Sequence, residues 1–240
     1  DTILDDKLLI GDINELLTVF EEKPALVNVI RNSQIDLISG GPPCQSFSLA
    51  GKRERNNHKN TLPASFARIA GMIQPKTVLL ENVKGITSPF TEDGIKYYAW
   101  LEVSKAFVLE GFVPVCMMLN SKYFGVPQNR PRFILQAYRK DVFEKIFNKQ
   151  KNNEILNISN NFYNIVLDNR DSLDYVTIKD FKYFDIESNP ELFDGNILPK
   201  ITHLERDFVN TSEAIGDIRR TQLKYTFDNT KGKYANSLNL

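Results

Sequence analysis

Cysteine, histidine and net charge are all scarce in this sequence, and each scarcity removes a class of chemistry. Two cysteines, Cys44 and Cys116, cannot build a disulfide framework, and no spacing suits zinc. With only His58 and His203, a histidine-based active site is disfavoured. The longest apolar stretches, such as Phe112 to Leu119, fall far short of the ~20 residues a membrane-spanning helix needs. Asp1 to Lys7 is polar and acidic and carries no secretory pattern, so the expected location is the cytoplasm. Thirty Lys and Arg balance thirty Asp and Glu. That weighs against a dedicated nucleic-acid binder, which is often strongly basic, but not against an enzyme whose cations cluster on one face. The remaining candidate chemistry rests on Cys, carboxylate and Arg.

What is present is an alternation of strand and helix signals. The 240 residues suit one large domain, or one domain plus part of a second. Short apolar, β-rich runs occur at Leu8–Ile10, Ile35–Ser39, Thr77–Leu80, Phe112–Leu119 and Phe133–Tyr138. Between them, Phe66, Ile69 and Ile73 share a helical face, as do Trp100, Val103 and Phe107, with Gly111 where a C-terminal cap belongs. The alternation predicts a parallel α/β sheet, whose ligands bind beyond the carboxyl ends of the strands. Gly11-Asp12, Gly41 to Gln45 and Glu81-Asn82 are expected at such ends. Near residue 150 the character changes. Lys149 to Asn164 is rich in Asn, Lys and Ile, and residues 165 to 210 show no clear period, so loops and short elements are expected there. We therefore divide the chain into residues 1–150 and 151–240.

Three motifs carry chemistry. In Gly40-Gly41-Pro42-Pro43-Cys44-Gln45-Ser46-Phe47-Ser48 an apolar strand runs into a Gly/Pro turn that holds a thiol. A lone cysteine is usually inert core, but a stiff turn is a poor place from which to fill a core. Val78-Leu79-Leu80-Glu81-Asn82-Val83 ends a buried strand on a carboxylate, either solvated or a hydrogen-bonding group for catalysis. Gln128-Asn129-Arg130-Pro131-Arg132 sets two arginines at alternate positions, which on extended backbone face one way. Such a pair suits a phosphate or carboxylate, or forms a basic solvated edge. Cys116, inside an apolar run, reads as core, and Trp100 as helix packing.

Together, in this order, the Pro-Cys-Gln, Glu-Asn-Val and Gln-x-Arg-x-Arg motifs closely resemble those of the DNA (cytosine-5) methyltransferases of bacterial restriction–modification systems. The resemblance runs from about Leu8 to Asp141, and Thr211 to Asp217 looks like the segment leading into target recognition. It implies a Rossmann-like, S-adenosyl-L-methionine-dependent methyltransferase sheet over residues 1–150, with a linker and partial target-recognition region over 151–240. It implies Cys44 as nucleophile, Glu81 on the N3/N4 edge of cytosine, and Arg130 and Arg132 near the base and its phosphates. Cofactor contacts fall to Asp12 and Ile13 at the adenine, Gly41 and Pro43 at the methionine end, and Leu62. DNA contacts fall to Gln45, Ser48, Lys52, Arg53, Asn82, Val83 and Gln128. Ser46 to Asn60 would be a loop that closes on a flipped base. The implied partner is double-stranded DNA, bound by a monomer; no metal and no membrane are expected.

The sequence departs from the family pattern in places. No aromatic-x-Gly-x-Gly segment precedes Gly11-Asp12 in this sequence, the acidic residue for the cofactor ribose would lie upstream, and Asn57-His58-Lys59-Asn60 stands where Asp-x-Arg is usual. The expectation is a truncated or incompletely recorded chain, ahead of one half of a split enzyme with a second chain, or a degraded gene. This 240-residue chain alone is then expected to bind cofactor poorly and methylate weakly. Rival readings are a tRNA-acting cytosine-5 methyltransferase, a non-catalytic DNA-binding subunit of the same fold, and a thiol hydrolase, which lacks a convincing base.

Overall fold

A computed structural model describes residues 3–5, 8–9, 11–42, 58–92, 95–203 and 208. Two compact units emerge, Asp1–Met118 with Arg132–Phe184, and Leu119–Pro131 with Asp185–Leu240.

The first unit is built on a five-stranded sheet. Its members are β3 (Leu37–Gly40), β4 (Thr77–Val83), β7 (Phe112–Asn120), β8 (Pro131–Arg139) and β9 (Phe184–Asp185), in the order β3-β4-β8-β7-β9. Strands β3 and β4 pair in parallel, with Gly40 opposite Leu80. The crossover between them contains α3 (His58–Ile73), as parallel neighbours require. The expected parallel pairing is present at β3–β4, while β8 departs from it and runs antiparallel to β4, with Val83 opposite Arg132. Only residues 121–130 separate β7 from β8, too few for a helical crossover. The antiparallel partner also extends β4 past its expected end. Glu81 and Asn82 therefore lie inside the strand rather than beyond it.

A second correction concerns the first strand. Leu8–Leu9 (β2) pairs antiparallel with Ile3–Asp5 (β1) in a separate two-stranded sheet, so Gly11-Asp12 does not follow a strand of the main sheet. A local hairpin forms with little loop-closure cost, which apolarity alone does not reveal. A further two-stranded sheet joins β5 (Phe90–Glu92) and β6 (Ile95–Tyr97).

Helices α1 (Ile13–Glu22) and α2 (Pro24–Asn32) share an apolar cluster with α3 through Phe20, Val27, Ile69 and Ile73. Helix α4 (Ala99–Leu109) presents Trp100 to Phe133, Phe181 and Tyr183, and Phe107 to Phe66 and Phe112. Gly111 follows it at φ +87°, the left-handed cap its position predicted. After α5 (Lys140–Lys149), the Asn-rich stretch forms a 15-residue helix, α6 (Glu154–Asp168). Asn153 caps α6 by accepting from the Leu156 N–H at 3.1 Å. The loops and short elements expected from residue 165 begin only after α6 ends at Asp168; residues 170–203 are mostly turns and short 3-10 segments. No described helix is long and apolar enough to cross a membrane.

Candidate active site

The parallel β3–β4 pair ends at a cavity of about 410 Å³ lined by Gly11, Asp12, Ile13, Ser39–Pro42, Leu62 and Phe66. That is ample for a small organic ligand. Four of the five expected cofactor residues, Asp12, Ile13, Gly41 and Leu62, line this one space. The fifth, Pro43, lies outside the described residues, as do Cys44, Gln45, Ser48, Lys52, Arg53 and Thr211 to Asp217.

Local chemistry shapes this cavity. Asp12 is the N-cap of α1, its Oδ1 accepting from the Asn14 N–H at 2.8 Å. The same residue borders the cavity, beside the positive end of a helix dipole. Ser65 Oγ lies 2.6 Å from Asn14 Oδ1 and links α3 to α1. Gly40 has no room for a side chain, since an added Cβ would stand 2.9 Å from the Phe66 ring. Phe66 is thus a wall of the cavity, a role that its helical spacing alone does not show.

Glu81 stands next to this cavity. An added Cβ on Gly41 would lie 3.5 Å from Glu81 Oε2. The other oxygen, Oε1, is 2.7 Å from Arg132 Nε on β8. The Nε atom is buried, and the contact is an ion pair rather than a straight hydrogen bond. Burial alternates along β4, so Asn82 turns to the opposite face from Glu81 and is 2% exposed. There its Nδ2 donates to the Pro42 carbonyl at 3.3 Å, and its Oδ1 accepts from the Val83 N–H at 2.7 Å. Asn82 thereby fastens the segment entering the Pro-Cys-Gln motif to β4. The family resemblance implied a DNA contact for Asn82; nothing local showed its tie to residue 42.

Cys116, the described cysteine, is fully buried, with Ser104 Oγ 3.3 Å from its sulfur. Burial pushes its thiol up to about 12, so it stays protonated and unreactive.

The second unit holds Gln128 and Arg130. Ser121 Oγ donates to the Gln128 carbonyl at 3.2 Å, and the Arg130 N–H donates to Asn120 Oδ1 at 3.0 Å. Asn120 gave no signal of this role in the sequence beyond ending an apolar run, the same position that drew attention to Glu81.

Glycines floor a cavity at parallel strand ends, and an acid–arginine pair stands beside it; α/β folds offer their ligands a place of this kind, beyond the ends of parallel strands. A family profile described as C-5 cytosine-specific DNA methylase matches residues 7–236, and the chain belongs to that family. It is similar to the Type II methyltransferase M1.HphI of Haemophilus parahaemolyticus, with 36% identity over 132 residues covering 54% of this chain and 34% of that protein. It is also similar to the Type II methyltransferase M.HindV of Haemophilus influenzae, with 40% identity over 114 residues covering 48% of this chain and 34% of that protein. The chain thus spans about a third of the length of these curated relatives. Among solved structures, a Spodoptera frugiperda DNMT2 mutant shows 25% identity and a TM-score of 0.32, over 48% of this chain and 33% of that one.

Proposed function

We propose that this chain carries the catalytic residues of an enzyme that methylates C5 of cytosine in DNA. The observation that carries the reading is the adjacency of Gly41, at the cavity lip, to Glu81, whose carboxylate is paired with Arg132. A cofactor space and a base-holding carboxylate are thereby neighbours.

The cavity residues fit S-adenosyl-L-methionine: Asp12 offers a carboxylate for an adenine amino group, Leu62 and Phe66 offer apolar surface, and Gly40 and Gly41 keep the floor bare. When bound, that cofactor supplies an electrophilic methyl group. Cys44 adds as thiolate to C6 of cytosine, forming a C6–S bond and moving electron density to C5. Glu81 holds the N3/N4 edge of the base, an interaction that strengthens as charge builds on the ring. Arg132 keeps the Glu81 carboxylate in place. After methyl transfer the C5 proton leaves to a base, the C6–S electrons return to sulfur, and Cys44 is released. A cytosine within a duplex is out of reach of such a site, so the base is flipped. Arg130, Lys52 and Arg53 contact the DNA backbone. Residues 151–240 lead towards target recognition.

The test is covalent capture. The full gene product, mixed with S-adenosyl-L-methionine and duplex DNA bearing 5-fluorocytosine, is expected to give an adduct that survives denaturation. Cys44→Ala should give none. A wild-type protein that binds cofactor and DNA yet forms no adduct would overturn the reading.

A further inference from the structure

Within the second unit, a single buried side chain closes the loop that carries Arg130. Asn120 is 1% exposed. Its Oδ1 accepts from two backbone donors, the Arg130 N–H at 3.0 Å and the Lys122 N–H at 3.4 Å. Only an oxygen satisfies two N–H groups, so its Nδ2 faces the other way. That nitrogen donates to Asn129 Oδ1 at 2.7 Å and to Glu187 Oε1 at 2.8 Å. All four bonds available to the amide are made. A buried polar group so fully used fixes its neighbours, because losing any partner strands a desolvated atom.

The downstream segment grips the same loop at two further points. Glu187 also pairs with Lys122 Nζ at 3.0 Å. The Thr202 and His203 N–H groups both donate to the Tyr123 carbonyl at 3.1 Å. Gly125, at φ +77°, leaves room for the His203 ring, since an added Cβ would stand 2.5 Å from it.

We propose that Asn120 is a positioning residue for Arg130, and that Glu187 ties the Arg130 loop through it to the segment approaching target recognition. The link to DNA rests on the reading of Arg130 as a phosphate contact. Asn120→Asp tests it well, because the new carboxylate keeps the acceptor for Arg130 but faces Glu187 with like charge. Adding Glu187→Gln supplies an amide that donates back, restoring the bond with its direction reversed; it also removes the Lys122 ion pair, so Glu187→Gln alone is the reference for the double variant.

Two measurements separate the possible failures. In amide hydrogen exchange, Asn120→Ala should lose protection at the Arg130 N–H while amides of β4 and β8 keep theirs; unchanged protection at Arg130 would overturn the positioning role. In DNA binding against salt, Arg130→Ala should flatten the slope of log K by about 0.9, the loss of one phosphate contact. Asn120→Asp should flatten it comparably, Asn120→Asp/Glu187→Gln should recover it, and Asn120→Asp added to Arg130→Ala should change nothing more. A wild-type slope in Asn120→Asp, or no recovery in the double variant, counts against the coupling. A wild-type slope in Arg130→Ala sinks the phosphate reading instead, while the positioning role still stands or falls on hydrogen exchange.

Discussion

Arg132 Nε lies 2.7 Å from Glu81 Oε1 across the antiparallel β4–β8 pair. The contact joins two motifs some fifty positions apart. The Glu81 side chain is 44% exposed, so solvent screens the pair and its contribution to stability is small, under about 1 kcal/mol. On the proposed function its value is in orientation. Glu81→Gln should therefore leave the thermal midpoint nearly unchanged while slowing methyl transfer on the order of a hundredfold or more. Arg132→Lys should slow it too, because a lysine is not a planar fork. A comparable loss of stability and rate in both variants would make the pair a structural strut only.

Asn82 works from the other face of the same strand. Replacing it with Ala removes a donor to the Pro42 carbonyl and the acceptor for the Val83 N–H. We expect a loss of about 1–3 kcal/mol in urea unfolding. We also expect slower adduct formation with 5-fluorocytosine DNA, since residue 42 leads directly to Pro43 and Cys44. Adduct formation at the wild-type rate would confine Asn82 to stability.

Gly40→Ala should press a methyl group into the Phe66 ring, 2.9–3.2 Å away, at a cost of about 1–3 kcal/mol. Cofactor affinity, read by calorimetry, should fall with it because Phe66 lines the cavity. Phe66→Leu in the same chain should recover stability by making space. Failure to recover would place the strain elsewhere.

Cys116 offers a chemical control. With its thiol pushed up to about 12 by burial, the folded Cys44→Ala protein should show no reaction with a thiol reagent at pH 8, and one thiol after denaturation. The folded state holds this proton more tightly than the unfolded state does. Cys116 therefore contributes stability that is complete below about pH 9 and declines as pH rises towards 12. Cys116→Ala should flatten that alkaline decline in urea midpoints measured from about pH 8 to 10.5.

By itself the sequence determined which chemistry was available and in what order. Short polar motifs interrupt apolar runs, so Gly41, Glu81 and Arg132 could be picked out, and the helical periods of α3 and α4 with the Gly111 cap were legible. These are local properties, set by spacing and by residue type over a few positions. Tertiary structure decided what those motifs touch. That β8 runs antiparallel to β4, drawing Glu81 into a strand opposite Arg132's end of the sheet, depends on pairing between distant segments. So do the burial of Asn82 against Pro42, the packing of Phe66 on Gly40, and the reach of Asn120 to Glu187, 67 residues on. A hydrogen bond or a van der Waals contact leaves no period along the chain. It exists only once folding brings its two ends together, and that is why the residues were legible and their partners were not.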